Sequence, residues 1–205
     1  YAAGPDLDHL AALLAVQRLD GESDERLRRR AQMALEGTTV AGSAASYVFH
    51  ALSSSVQVKD AGVDSPTPGT VRVTVLSTEG DGTPGQELID GVQAHLSAED
   101  VRPLSDTVLV VPASVVTYQV QATLNVYPGP ASGPLLVAAQ EALARYITEH
   151  KQLGHDITLS GLYACLHQSG VQKVALASPL ADIVIAPNQA AHCTGMQITL
   201  GTTDV

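Results

Sequence analysis

Residues 118–126 alternate without error. Tyr118, Val120, Ala122, Leu124 and Val126 are apolar, and Gln119, Gln121, Thr123 and Asn125 between them are polar. Successive side chains on a strand point to opposite faces, so this pattern demands an extended segment with one face buried and one wet. On a helix the same apolar residues would scatter around the axis and could not share a core. Any fold for this chain must therefore contain a sheet that is covered on one side.

The cover is expected to be helical. Tyr127-Pro128-Gly129-Pro130 breaks the strand, and Leu136, Ala139, Leu143, Tyr146 and Ile147 then mark an amphipathic helix with a Glu141–Arg145 pair on its exposed side. A short helix is expected from Ser160 and a strand over Val171–Ala177. The same order occurs earlier in the chain. Val71, Val73 and Val75 alternate with Arg72 and Thr74, and Glu79-Gly80-Asp81-Gly82 forms a loop. Thr83 is expected to cap a helix with Pro84 at its first position and Gln86 completing a T-x-x-Q capping box. Leu88, Ile89, Val92 and Leu96 form the stripe of that helix, and residues 106–111 return as a strand.

Residues 1–55 read as a helical segment. Asp6 is the expected cap of a first helix whose stripe is Leu7, Leu10, Leu13 and Leu14. Ser23 is the expected cap of a second, with Asp24 and Glu25 in its first turn, where acids favour the dipole. Gly37 is placed to stop it, and a third helix follows Gly42 through Tyr47, Val48, Ala51 and Leu52. Val56–Lys59 reads as a strand and Ser65-Pro66-Thr67-Pro68-Gly69 as a turn or short linker. The expected fold class is α+β: the helical segment, then one domain over 56–205 with a split βαβ, ferredoxin-like sandwich. That sandwich is built from two strand-helix-strand halves, 71–111 and 117–177. A C-terminal tail adds strand candidates at Asp182–Ala186 and Met196–Leu200.

Charge and composition exclude several function classes. A 45% hydrophobic content is incompatible with a wholly disordered chain. The 11 Lys+Arg against 21 Asp+Glu leave a net charge of −10, which argues against nucleic acid, whose phosphates require a basic face. No apolar run approaches the about 20 residues of a membrane-spanning helix. Two cysteines, Cys165 and Cys193, do not make a disulfide framework and read as buried free thiols. The start, Tyr1-Ala2-Ala3-Gly4, has neither Met nor a leader-like pattern, and the chain is expected to be a piece of a longer protein.

Motifs for catalysis are sparse. G-x-S-x-G, a Walker loop, H-E-x-x-H and paired C-x-x-C are absent from the sequence. His150, His155 and Asp156 form the closest cluster of metal-ligand types, but the two histidines straddle Gly154 at an expected helix end and do not share a face. Glu79-Gly80-Asp81-Gly82 lacks the acidic spacing of a calcium loop, and Glu99-Asp100 reads as a loop between helix and strand. The one basic cluster is Arg26, Arg29 and Arg30 on one side of the second helix, opposite Arg28. It is either a face with local ion pairs or a docking surface for an acidic partner, since arginine is enriched at interfaces. No catalytic, cofactor or metal residues are assigned.

Several segments resemble the baseplate J-like proteins of contractile-tailed phages and phage-tail-like bacteriocins. Gly4-Pro5-Asp6-Leu7-Asp8-His9-Leu10-Ala11, followed by Arg18, resembles that family's "G-x-x-LD-x-LA" opening. Glu22-Ser23-Asp24-Glu25-Arg26-Leu27-Arg28-Arg29-Arg30 is similar to its "ESDE-x-(F/L)R-x-R". Ala41-Gly42-Ser43 with Tyr47 through His50, Asp81-Gly82-Thr83-Pro84, Val101-Arg102-Pro103-Leu104-Ser105-Asp106, Tyr127-Pro128-Gly129-Pro130 and Ser178-Pro179 with Asp182-Ile183-Val184 also fit, in the family's order. Ser43 stands where proline is common in the family. The resemblance implies a structural wedge component of a tail baseplate, arranged with six-fold symmetry around the hub and rearranging on contraction. It implies partners among other wedge proteins and further copies of the chain. It implies a place in the virion tail baseplate, with assembly in the host cytoplasm. The competing readings are a carbohydrate- or surface-binding module, for which six Tyr, one Phe and no Trp offer little stacking surface, and a cryptic metal-dependent enzyme. The expected contact residues are Leu10, Leu14, Arg26, Arg29, Arg30, Tyr47 and Phe49, with sheet edges as further surfaces.

Overall fold

A computed structural model describes residues 2–37, 42–99, 101–103, 105–127 and 132–201. The chain forms two compact units, Tyr1–Ala113 and Ser114–Val205.

The first unit carries helices α1 (Pro5–Ala12), α2 (Asp24–Gln32), α3 (Ala34–Gly37) and α4 (Ala44–Ser54), strands β1 (Val58–Thr67) and β2 (Thr70–Ser77), helix α5 (Gln86–Leu96) and strand β3 (Thr107–Pro112). Ser23 and Ser43 accept the N–H groups of Arg26 and Ser46, which fixes the starts of α2 and α4. β1 and β2 are antiparallel, joined at Pro68-Gly69, where Gly69 takes φ +79°. β3 lies parallel to β2 on its other side, so α5 is the crossover of a βαβ unit. β2 is central, and its residues Val73–Ser77 are all buried. Tyr47, Ala51 and Leu52 of α4 and Val92 and Leu96 of α5 pack with Val58, Val73, Val75, Val108 and Val110 of the sheet. A separate cluster, Leu7, Ala11, Val16, Leu27 and Ala34, holds the N-terminal helices to each other.

The second unit carries β4 (Ser114–Val126), α6 (Ser132–His150), α7 (Leu159–Leu166), β5 (Val171–Ser178) and β6 (Gln189–Leu200). Its sheet order is β5-β4-β6, with β5 antiparallel and β6 parallel to β4. The alternation in 118–126 does what strand geometry requires. Tyr118, Val120, Ala122 and Leu124 are buried, and Gln119 and Gln121 are exposed. Leu143, Leu162 and Leu166 of the helices close over that face with no solvent exposure.

The protein is α+β, but the single ferredoxin-like sheet expected over 71–177 is replaced by two three-stranded sheets. β2 already has β1 and β3 as neighbours, and β4 has β5 and β6. Neither central strand has an edge left to join the other, which a split βαβ sheet requires. The boundary accordingly falls at Ala113/Ser114 and not at 55/56, because α4 and β1 share one core.

Local expectations also shift. The start of α1 is capped by Gly4 with Pro5 in its first turn, and Asp6 lies inside the helix. α1 ends at Ala12, so Leu13 and Leu14 leave the expected stripe and only Leu7 and Ala11 are buried. The capping box at Thr83 does not form: Gly85 caps α5, and the Thr83 N–H goes to Asp81 Oδ1 at 2.9 Å. β1 runs on through Ser65-Pro66-Thr67. Asp182–Ala186 is not a strand and makes a single bridge, Ile157 with Ile183, whereas the last strand starts at Gln189, seven residues before Met196. Ala41, Asp100, Leu104 and Pro128-Gly129-Pro130 lie outside the described residues. Among the described residues no helix is long and apolar enough to cross a membrane.

Candidate functional site

The arginine cluster of α2 turns inward. Glu22 is buried before the helix, and its Oε2 accepts from Arg30 Nη1 at 2.7 Å and from the Leu19 N–H at 3.0 Å. Its Oε1 lies 3.3 Å from Arg26 Nε. The side chains of Glu22 and Arg30 are 0% and 5% exposed. Arg30 also donates to Ser53 Oγ at 3.1 Å and to the Gln17 carbonyl at 3.2 Å. Arg26 donates to the carbonyls of Leu52, Ser55 and Val58. It thus places a cation at the C-terminus of α4, where the dipole favours one. Burial lowers the Arg26 pKa from its ordinary value, against the pull of Glu22. Arg29 pairs with Asp60 of β1 at 2.7 Å. The docking-surface expectation for Arg26 and Arg30 is therefore corrected. Arg26 binds α2 to α4 and β1, Arg30 binds α2 to α4 and to the segment before α2, and charge reversal at Arg30 would bury two acids together.

Tyr47 is likewise internal. Its ring is in the core and its hydroxyl donates to Asp106 Oδ2 at 2.9 Å. Phe49 is partly buried against the N-terminal helical cluster. Arg18 ties α1 to α2 through Asp8 at 2.6 Å, Asp24 at 2.7 Å and the Glu22 carbonyl at 2.9 Å. The Gly4 N–H and then Arg18 hold the Asp24 carboxyl below its ordinary pKa.

What remains outward is the far face of α1 and its C-terminal turn. Leu10 is 53% exposed, Leu14 43% and Leu13 82%. Asp6, His9, Leu10, Ala12 and Leu13 line a shallow open groove there. Sequence spacing had put Leu13 in the buried stripe. The signal against that was the length of the helix, which no residue between Ala11 and Val16 announces. Ala15, at φ +59°, makes the turn.

The histidine cluster has structural duties. The His150 ring stacks on Tyr146 at 3.9 Å, and Asp156 Oδ1 accepts the Ile185 N–H at 2.7 Å. Among the described residues no group of three or more His, Cys, Asp or Glu is placed to hold a metal ion. One motif escaped sequence reasoning: Gly80-Asp81-Gly82-Thr83-Pro84-Gly85 spells G-x-G-x-x-G, and it lies between β2 and α5 of the parallel unit. A phosphate cradle there needs free backbone N–H groups. The Gly82 N–H is committed to the Glu79 carbonyl at 3.0 Å, and the Thr83 N–H to Asp81 at 2.9 Å. Pro84 has no N–H at all, and Glu79 and Asp81 bring negative charge. The loop is a closed turn and not an anion site.

Cys165 and Cys193 are free and half-buried. Burial pushes the Cys165 thiol up to about 11. At pH 8 its reactive thiolate is scarce, so iodoacetamide should modify Cys165 at least about tenfold more slowly than an ordinary thiol, and faster as pH rises. Mass spectrometry of timed samples, with urea-unfolded chain as reference, would check this; equal rates in the two states would refute it.

Comparison with known proteins places this arrangement. Residues 39–112 match the model of the baseplate J-like central domain, and residues 118–199 that of the baseplate J-like protein C-terminal domain. The junction between the two matches coincides with the boundary between the two units. The chain is 44% identical over 218 residues to baseplate protein J of Escherichia phage P2, covering 99% of this chain and 72% of that protein. It resembles in fold a chain of the cryo-EM structure of the anti-feeding prophage baseplate, six-fold symmetrised, with a TM-score of 0.53 and 13% identity. That match covers 84% of this chain, which spans 42% of the chain in that structure. Two successive domain matches and an ordered identity along nearly its whole length lead to one conclusion: the chain belongs to the baseplate J-like family.

Proposed function

We propose that this chain is a structural component of a phage-type tail baseplate, a wedge protein whose product is an assembly and not a reaction. The observation that carries the reading is the 44% identity to a baseplate protein J along 99% of the chain. The chain works through protein–protein contacts with other wedge proteins and with further copies of itself, in the virion tail baseplate after assembly in the host cytoplasm. A ring of wedges needs at least two distinct contact surfaces per subunit, because heterologous contacts close it. Rearrangement on contraction needs interfaces that repack between discrete states. The outward leucines of α1 and of the turn after it, Leu10, Leu13 and Leu14, are the contact face offered to a neighbouring wedge protein. Phe49 supports that face from inside, and Arg29 lies on the same unit as a half-exposed rim residue.

Co-expression of the chain with the products of its neighbouring genes, then affinity purification and intact mass of the complex, tests the reading. A complex of defined stoichiometry is expected. Leu13→Glu leaves the core untouched and is expected to weaken that complex by about thirtyfold or more, the effect of losing one anchoring side chain. Undiminished binding by Leu13→Glu would remove α1 from the interface. Failure of the full-length gene product to bind any neighbour would overturn the baseplate reading itself.

A further inference from the structure

An edge strand offers a row of unpaired backbone groups, and proteins blunt such edges with charge, proline or a covering side chain. The two sheets have four edges, β1, β3, β5 and β6. Three are guarded. β1 carries Lys59, Asp60, Asp64 and Pro66, and Arg26 binds its Val58 carbonyl. β3 is closed by Gln93 of α5, which donates to the Val108 carbonyl at 3.0 Å and accepts from the Val110 N–H at 2.8 Å. This side chain acts as a one-residue strand, and Pro112 ends the edge. β5 has an exposed Lys173 at its middle and Pro179 directly after it.

β6 is different. Only its start is covered, by the Leu153–Ala190 bridge and by the Gly154 N–H on the Gln189 carbonyl at 3.0 Å. From His192 to Leu200, no other element among the described residues closes the outer edge. The strand Gln189–Leu200 contains no Pro, Lys, Arg, Asp or Glu. Register with β4 fixes its faces. Met196, Ile198 and Leu200 lie beside the buried Val120, Ala122 and Leu124, and Gln197 and Thr199 beside Gln121 and Thr123. Met196 and Leu200 stay 49% and 37% exposed although they share the core face.

We infer that β6 is an assembly edge on which a second copy of this chain adds its own β6, antiparallel, about a two-fold axis at Ile198. This deepens the proposed baseplate role by naming a surface between copies, and it rests on that reading. Two observations select a second copy as the occupant. Each chain carries −10, so copies must meet where like charge is absent, and β6 is a twelve-residue strand without formal charge. The strand is also self-complementary about Ile198. Met196 falls opposite Leu200 of the other copy and Gln197 opposite its Thr199, apolar against apolar and polar against polar on each face. Pairing covers the half-exposed Met196 and Leu200 and satisfies the free backbone groups of both strands.

The test uses exposed positions of the full chain, in a Cys165→Ser, Cys193→Ser background. Gln197→Cys and Thr199→Cys variants are mixed and mildly oxidised. The mixture is expected to give a disulfide-linked dimer of twice 21.3 kDa, severalfold above either variant alone, because only unlike positions face each other. Separately, Met196→Lys, at a half-exposed position, is expected to raise the dissociation constant of the dimer at least about tenfold in sedimentation, by setting a charge against the apolar Leu200 of the other copy, with an unchanged circular dichroism spectrum. A chain that is monomeric at all concentrations, or crosslinking that is equal in the single variants, overturns the pairing. If the neighbour-gene complex forms while the crosslink does not, the β6 inference falls and the baseplate reading stands. The crosslink without that complex supports the pairing and counts against the baseplate reading.

Discussion

Arg30→Met is expected to destabilise the first unit by about 3 kcal/mol or more, the usual cost of leaving one member of a buried ion pair without its partner. The magnitude follows from the surroundings of Glu22. Its carboxylate is fully buried, and Arg30 supplies its 2.7 Å contact. Without Arg30, Glu22 keeps the Leu19 N–H at 3.0 Å and a looser approach from Arg26 at 3.3 Å. Arg26 is itself occupied with three carbonyls at the end of α4 and the start of β1. A folded protein has a total margin on the order of 5–15 kcal/mol, so the loss is a large part of what holds the helices to the sheet. The double change Glu22→Gln with Arg30→Met removes both buried charges and should recover more than half of the loss. Urea unfolding of the two variants, followed by circular dichroism, measures it. A loss below about 1 kcal/mol for Arg30→Met would show that the pair is solvated and the network incidental.

Leu143→Ala is expected to cost the second unit about 3 kcal/mol, the sum of lost transfer energy and the cavity left behind. Leu143 lies in α6 within the cluster that covers Val120, Ala122 and Leu124, and it has no solvent exposure. Val137 of the same helix is half-exposed and supplies the control, since Val137→Ala should stay within about 0.5 kcal/mol. Amide hydrogen exchange in Leu143→Ala should rise across β4, β5 and α7, the elements sharing that core. Equal effects of the two substitutions would mean that α6 does not close the sheet as described.

Much of the local structure was legible because it rests on short-range rules. Alternation places Tyr118, Val120, Ala122 and Leu124 on one face whatever the sheet around them. Ser23 caps because a helix N–H lies three residues on. The capping box at Thr83 failed for an equally local reason that a pattern does not weigh: Asp81 takes the Thr83 N–H first. Family membership was legible in the order of many weak motifs, which no single physical signal in the chain would have supplied.

The candidate contact residues were less legible. Arginine on a helix face reads the same whether it meets solvent, a partner or its own chain, and the carbonyls that receive Arg26 lie 26 to 32 residues away in sequence. Leu13 and Leu27 are both leucines on helical spacing, yet one is 82% exposed and the other buried. The difference arises because α1 stops at Ala12.

By itself the sequence determined most of the strands and helices, the buried face of β4, the acidic charge and the family. Tertiary structure alone decided that strand-helix-strand halves with the same layout build two sheets and not one. It also decided that Arg26 and Arg30 are internal and that, among the described residues, no element closes the outer edge of β6 beyond its start. Strand and helix periodicities depend on neighbours a few residues apart. Which strand pairs with which, and what a long side chain reaches, depend on distances through space that the order of residues does not encode locally.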